Sequence, residues 1–206
     1  MATTFETFVW NYFIEKIGNE YGVAGLMGNL YAESGIIPNN LQNTYNTSLG
    51  MTDEEYTRLT DTYAYKNFYS DSAGYGIAQW TIRSRKLGLY NLWEWGVQQG
   101  IYSSISDILL QCDYLWQELQ LDYSGVLSVL QTATSVKQAS DSVLHDFENP
   151  ADQSASVETY RASLGQGYYN TFKGTSGDLP EPEAKKKKKG FNWVLFNARR
   201  RMYGKR

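Results

Sequence analysis

Apolar residues recur with helical spacing over most of the chain, and the breaks fall at Gly, Pro and Ser/Asp-rich stretches. Thr3 followed by Glu6 makes a capping-box pattern, after which Phe5, Phe8, Val9, Tyr12 and Phe13 fall on one face until Gly18. This predicts an amphipathic first helix. A second helix is predicted from about Gly22 to Ser34, with Val23, Leu26, Met27 and Leu30 on one face and Gly25 and Gly28 allowing a neighbour to approach closely. Gly35 and Pro38 end it. Thr52 with Glu55 is a further capping box and opens a short helix through Leu59. Between Thr60 and Trp80 the stretch TDTYAYKNFYSDSAGYGIAQW is aromatic, rich in Ser, Asp and Gly, and partly alternating, which predicts a small β-hairpin or an ordered loop.

Helical periodicity then returns. Leu87, Tyr90, Leu92 and Trp93 mark one helix, and Ile108, Leu109, Cys112, Leu115, Trp116 and Leu119 a clearer one. Val136 to Phe147 supplies the next, stopped by ENPADQS, and Val157 to Tyr168 a last. After Phe172, KGTSGDLPEPEAKKKKKG has no apolar period and reads as a linker. The expected fold class is mostly α, with one domain over 1–174, a flexible Gly/Pro/Lys linker over 175–190 and a basic aromatic tail over 191–206.

Composition narrows the chemistry. A chain of 206 residues with 42% hydrophobic content can bury the core of one compact domain. Its seventeen Tyr and six Trp suit rings that line a carbohydrate cleft as well as rings packed in a core. The lone Cys112 can form no intrachain disulfide and, on a Leu-rich helix, reads as a small core residue. The single His145 excludes a His-rich metal site and disfavours a Ser/His/Asp triad, and the sequence holds no Gly-rich phosphate motif. No metal or organic cofactor is expected.

Charge is divided along the chain. Ten of the 19 Lys and Arg lie from Lys185 onward with no acid among them, which leaves residues 1–184 with a formal balance of −13. The sequence reads as an acidic globule with a basic tail. Its first residues, MATTFETFVWNYFIEKIG, carry no basic leader and no continuous apolar run, so neither a signal peptide nor a membrane span is expected there. If the protein acts outside its cell of synthesis, a route other than general secretion is expected to deliver it.

One carboxylate stands out. Glu33 in GNLYAESGIIPNN falls at the C-terminal end of the predicted second helix, where the negative end of the helix dipole disfavours an additional negative charge. Tyr31, and Trp80 if the later loop folds back, would withdraw it further from water. A carboxyl that keeps its proton near neutral pH is what a general acid needs, although the same position suits an ordinary surface Glu.

NLYAESGIIPNN, followed about forty residues later by DSAGYGIAQWT, resembles the lysozyme-like domain of phage tail lysins, virion-associated and prophage-encoded peptidoglycan hydrolases. More distantly it is similar to goose-type lysozymes and soluble lytic transglycosylases. The shared features are a helix-terminal Glu-Ser pair, here Glu33 and Ser34, and a Gly-x-x-Gln turn, here Gly76 to Gln79. The similarity runs from about residue 5 to 173 and includes HDFENPADQS and YRASLGQGYY. It implies a two-lobed helical lysozyme fold and cleavage of the β-1,4 bond between N-acetylmuramic acid and N-acetylglucosamine, with Glu33 protonating the leaving oxygen. It further implies that Gln79 and the backbone around Gly76 hold sugar amide or hydroxyl groups, and that Tyr75 and Trp80 offer rings to the sugar faces. Gln79 and Trp80 could equally close a buried loop.

A standard glycosidase needs a second carboxylate about 5 Å from the first for retention, or roughly 6.5 to 9.5 Å for inversion. Asp71 is the preferred candidate because it lies in the polar loop leading to Gln79, and Glu148 in DFENP could reach the cleft from the other lobe. With no second carboxylate near, a lytic transglycosylase reaction to 1,6-anhydro products is the alternative, and a catalytically silent wall-binding or tail protein is a further one. The tail KKKKKGFNWVLFNARRRMYGKR has the composition of an anchor for a membrane surface or an anionic wall polymer, and also suits a docking peptide for a virion protein. The expected setting is a monomer acting on bacterial peptidoglycan from a phage virion or outside the cell.

Overall fold

A computed structural model describes residues 2–175, so the linker from residue 176 and the basic tail 191–206 lie outside the described residues. Helix α1 spans Thr4–Ile17, and both halves of its Thr3/Glu6 capping box form. Helix α2, Glu20–Ser34, starts slightly earlier than its apolar face suggests because the Asn19 side chain accepts the N–H groups of Tyr21 and Gly22. Both helices end on a left-handed glycine, Gly18 and Gly35.

Two short helices were not expected. Helix α3, Asn43–Leu49, buries none of its residues, and so has no apolar period to read. The Thr52 hydroxyl caps α4, Asp53–Asp61. Beyond it come α5, Arg83–Gln98, and α6, Ile108–Leu121. Helix α7, Ser124–Thr132, is the other unexpected one, and it buries only Val126 and Leu130. Helix α8, Val136–Ser142, runs straight into a π-helical turn, Val143–Glu148, which stops at Asn149 with φ 46°. Helix α9, Ala155–Phe172, completes the described chain.

The fold is mostly α, as expected, with no sheet among the described residues. Of the two forms expected for the 60–80 stretch, the ordered loop is the one found. It is pinned by isolated antiparallel bridges from Tyr75 to Leu41 and to Trp80.

Helix α2 is the hub of the helical body. Its residues 22–30 are all buried, because α1, α7, α8, α9 and the π-turn surround it. The tightest approach is to α9. A Cβ added at Gly28 would lie 2.5 Å from the Gly165 backbone nitrogen, and one added at Gly165 would lie 2.7 Å from the Ala24 carbonyl oxygen. Ala24 faces Gly165 while Gly28 faces both Arg161 and Gly165, so the two helices run antiparallel. This contact places Arg161 beside the C-terminal end of α2.

An aromatic sector packs the 60–80 loop against α4 and α5 through Tyr56, Phe68, Tyr75, Tyr90 and Trp93. Asp71 sits within it. One Asp71 oxygen accepts Lys86 Nζ at 2.6 Å and the Ala73 N–H at 2.9 Å, and the other accepts the Tyr56 and Tyr65 hydroxyls at 2.7 and 2.9 Å. Burial pulls the Lys86 ammonium down from its ordinary range, and the Asp71 charge opposes that pull. A fully buried ammonium is tolerable only with such a partner. Asp71 therefore has four donors to satisfy where it is, and the structure does not bring it to the Glu33 cleft.

Candidate active site

The last turn of α2, the segment after it, the start of α3 and Gln79 enclose a cleft of about 330 Å³. Its nine lining residues include Ser34, Asn40, Gln42, Thr44 and Gln79, and Glu33 is the single ionisable side chain among them. Amides and hydroxyls line most of the surface, a set that can exchange hydrogen bonds with hydroxyl and N-acetyl groups.

The cleft is held by a few buried polar joints. Ser34 Oγ donates toward the Ile77 carbonyl at 2.9 Å and the Leu30 carbonyl at 3.2 Å, and it accepts the Ile36 N–H at 3.2 Å. The end of α2 is thus tied directly to the Gly76–Gln79 turn. Two residues at this junction hold left-handed backbone that side chains resist, Ile36 with φ 58° and Gln79 with φ 42°. Gln79 Nε2 is shared among the Asn40 Oδ1 at 2.8 Å and the carbonyls of Asn40 and Gly76. Gly76 has φ 76° and no room for a side chain, since a Cβ there would lie 2.6 Å from Gln111 Oε1.

Gln111 is a residue that sequence reasoning missed. From the core face of α6 its Oε1 accepts the Ile77 N–H, and its Nε2 donates to the carbonyls of Pro38 and Ile105. It ties the turn at Ile77 to the segment after α2 at Pro38 and to the segment before α6 at Ile105. A glutamine inside the apolar run ILLQCDYL was the signal that could have found it.

Glu33 is about one-fifth exposed, and its Oε1 receives Nη2 of Arg161, the second residue missed. Arg161 Nη1 also donates to Asn29 Oδ1 at 3.2 Å, while Asn29 Nδ2 donates to Ser140 Oγ and to the carbonyls of Gly25 and Ser140. Glu33 is therefore not simply a carboxylate opposed by a helix end. A buried cation offsets that unfavourable field.

A second carboxyl acts on Glu33 electrostatically without lining the cleft. Glu148 closes the π-turn with Oε1 fully shielded and, among the described residues, without a hydrogen-bond partner. Burial and, next, the Glu33 charge push its carboxyl up to about 8, against the opposite pull of Arg85 and Arg161. Arg85 itself is engaged by both oxygens of Glu118 at 2.7 and 3.0 Å.

The remaining expected site residues divide between cleft and core. Ser34 and Gln79 join Glu33 in the cleft, and Gly76 shapes its wall. Tyr75 and Trp80 are fully buried: the Tyr75 hydroxyl pairs with Thr57 Oγ1 at 2.6 Å, and the Trp80 indole donates to Glu118 at 2.8 Å. Both rings close the loop rather than present a face to the cleft. Glu148 touches the electrostatics of Glu33 but is not among the residues lining the cavity.

A helical domain that presents a helix-terminal glutamate to a polar cleft has the build of a lysozyme-like, peptidoglycan-acting protein. The chain belongs to the phage tail lysozyme family, whose sequence model matches residues 5–172. No curated protein and no solved structure gave a match. A phage or cell-wall context follows from the family, and among the described residues no helix is long and apolar enough to cross a membrane.

Proposed function

We propose that the protein is a muramidase that cleaves the β-1,4 bond between N-acetylmuramic acid and N-acetylglucosamine, with Glu33 as general acid. The observation that carries this reading is that Glu33 is, among the described residues, the only ionisable group lining a polar cleft in a member of a lysozyme family. The glycan lies across the end of α2. Asn40, Gln42, Thr44 and Gln79 hold its amide and hydroxyl groups, and Glu33 gives a proton to the leaving oxygen while water takes the glycosyl centre. Proton donation of this kind contributes about 10²- to 10⁴-fold in rate.

A second reading has its own support. Among the described residues no other carboxylate lines the cleft, and two are needed for the standard hydrolytic geometries. In the transglycosylase reading the 6-hydroxyl of the muramic acid residue replaces water and gives a 1,6-anhydro end. Mass spectrometry of fragments released from purified walls separates the readings: reducing muramic acid ends support hydrolysis, and anhydro ends support transglycosylation. A protein inert on every wall, yet retained by it, supports a silent wall-binding role instead.

The basic tail is proposed to add wall affinity through an anionic polymer. Removal of Lys185–Arg206 should weaken wall retention at low salt and have little effect at high salt, where the attraction is screened. Equal retention at low salt removes anchoring as its role.

A further inference from the structure

Arg161 meets the general acid on its charged side. A Glu33 carboxylate that holds a guanidinium has no proton to give, so catalysis requires both a proton source and a release of Arg161. The structure supplies one group suited to both tasks. Glu148 Oε1 is shielded from solvent and has no donor, a poor place for a carboxylate and a cheaper one for a neutral carboxyl. The charges whose fields act on it come from four helices, Glu33 of α2, Arg161 of α9, Arg85 of α5 and Glu118 of α6, and its own charge acts on Tyr123. Arg85 is already forked onto Glu118. Arg161 is the cation with a choice.

We propose that Glu148 is the proton-holding partner of Glu33: the two carboxyls share one proton, and the position of Arg161 decides which of them carries it. In the free protein Arg161 pairs with Glu33, and Glu148 holds the proton. When a sugar enters the cleft, the Glu148 O–H bond breaks, an O–H bond forms on Glu33, and the guanidinium turns toward the new Glu148 carboxylate. Net charge is unchanged by this exchange, directly or through a water, so no group is left buried with an unpaired charge. Glu148 acts through Glu33 and does not touch the substrate, which makes it a positioning residue.

The inference rests on the reading of Glu33 as general acid. With one proton shared, the wild-type protein stays competent until the pair as a whole loses it. Glu148→Gln preserves shape but cannot surrender a proton, which leaves Glu33 without its internal donor.

The test is the pH profile of wall cleavage by wild type, Glu148→Gln and Glu148→Asp, each checked for folding by its melting temperature. Glu148→Gln should keep activity at acid pH, lose at least tenfold at pH 7.5, and show its alkaline limb at least one pH unit lower. Glu148→Asp should recover part of the difference. A Glu148→Gln profile that superimposes on wild type, or that falls equally at all pH values, overturns the proposal. A substrate-free arm separates this from failure of the Glu33 reading, which an inert wild type or an active Glu33→Gln would signal. Followed by carboxyl ¹³C NMR, Glu148 should titrate at lower pH once Glu33→Gln removes the neighbouring charge, and a titration unmoved by that change also overturns it.

Discussion

Glu33, Arg161 and Glu148 form a unit in which no member has its ordinary surroundings. Glu33→Gln keeps the shape and an acceptor for Arg161 but has no proton to donate, so cleavage should fall by about 10²-fold or more with the melting temperature little changed. Activity within threefold of wild type would contradict the role. Glu148 makes a separate prediction for stability. Its carboxyl is raised to about 8 from an unfolded value of 4.5, so folding binds a proton between these limits. The associated stability is complete below pH 4.5, declines as pH rises toward 8, and is constant above. Glu148→Gln should therefore gain in unfolding free energy relative to wild type from pH 5 to pH 8, by at most about 1.4 kcal/mol for each pH unit crossed. A difference independent of pH would contradict this. Glu33 was legible because a Glu-Ser pair ends a predicted helix. Arg161 was not, because it lies 128 residues away along the chain and no local pattern encodes that pairing.

At the scale of elements, the α2–α9 contact positions the site. Gly28→Ala places a methyl where the Gly165 backbone leaves 2.5 Å, and neither helix backbone can yield locally. Separating the helices should cost about 1–3 kcal/mol in urea unfolding and reduce cleavage as well, since Arg161 moves with α9. A variant of full stability would mean that the approach is looser than described. The long helices were readable from their periodicity and caps, as the Thr3 and Thr52 caps show. Helix α3 was not, because it buries none of its residues, whereas α7 does carry a helical pattern in Val126, Leu127, Val129 and Leu130 but is only nine residues long. The aromatic stretch reads as a small hairpin or an ordered loop, and packing, not a sugar face, claims its Tyr75 and Trp80 rings. Alternating Tyr and Trp look alike in sequence whether they face a sugar or a core.

For the whole molecule, Asp71 shows how one carboxylate can serve the fold instead of the chemistry. Asp71→Asn leaves Lys86 buried without its counter-charge and should destabilise the protein by about 3–5 kcal/mol in urea unfolding, and Lys86→Met added to it should restore part of the loss. If Asp71→Asn were instead stable and inert, Asp71 would belong to the reaction. The aromatic sector and the helical body therefore do different work: the first fixes the loop that carries Gln79, and the second brings Arg161 to Glu33. The central claim, that this arrangement cuts the glycan through Glu33, is tested most directly by mass spectrometry of the fragments that wild type and Glu33→Gln release from purified peptidoglycan. The account predicts disaccharide-peptide fragments ending in reducing N-acetylmuramic acid from wild type and none from Glu33→Gln. Intact glycan after treatment with wild type, or the same fragments from both proteins, would contradict it.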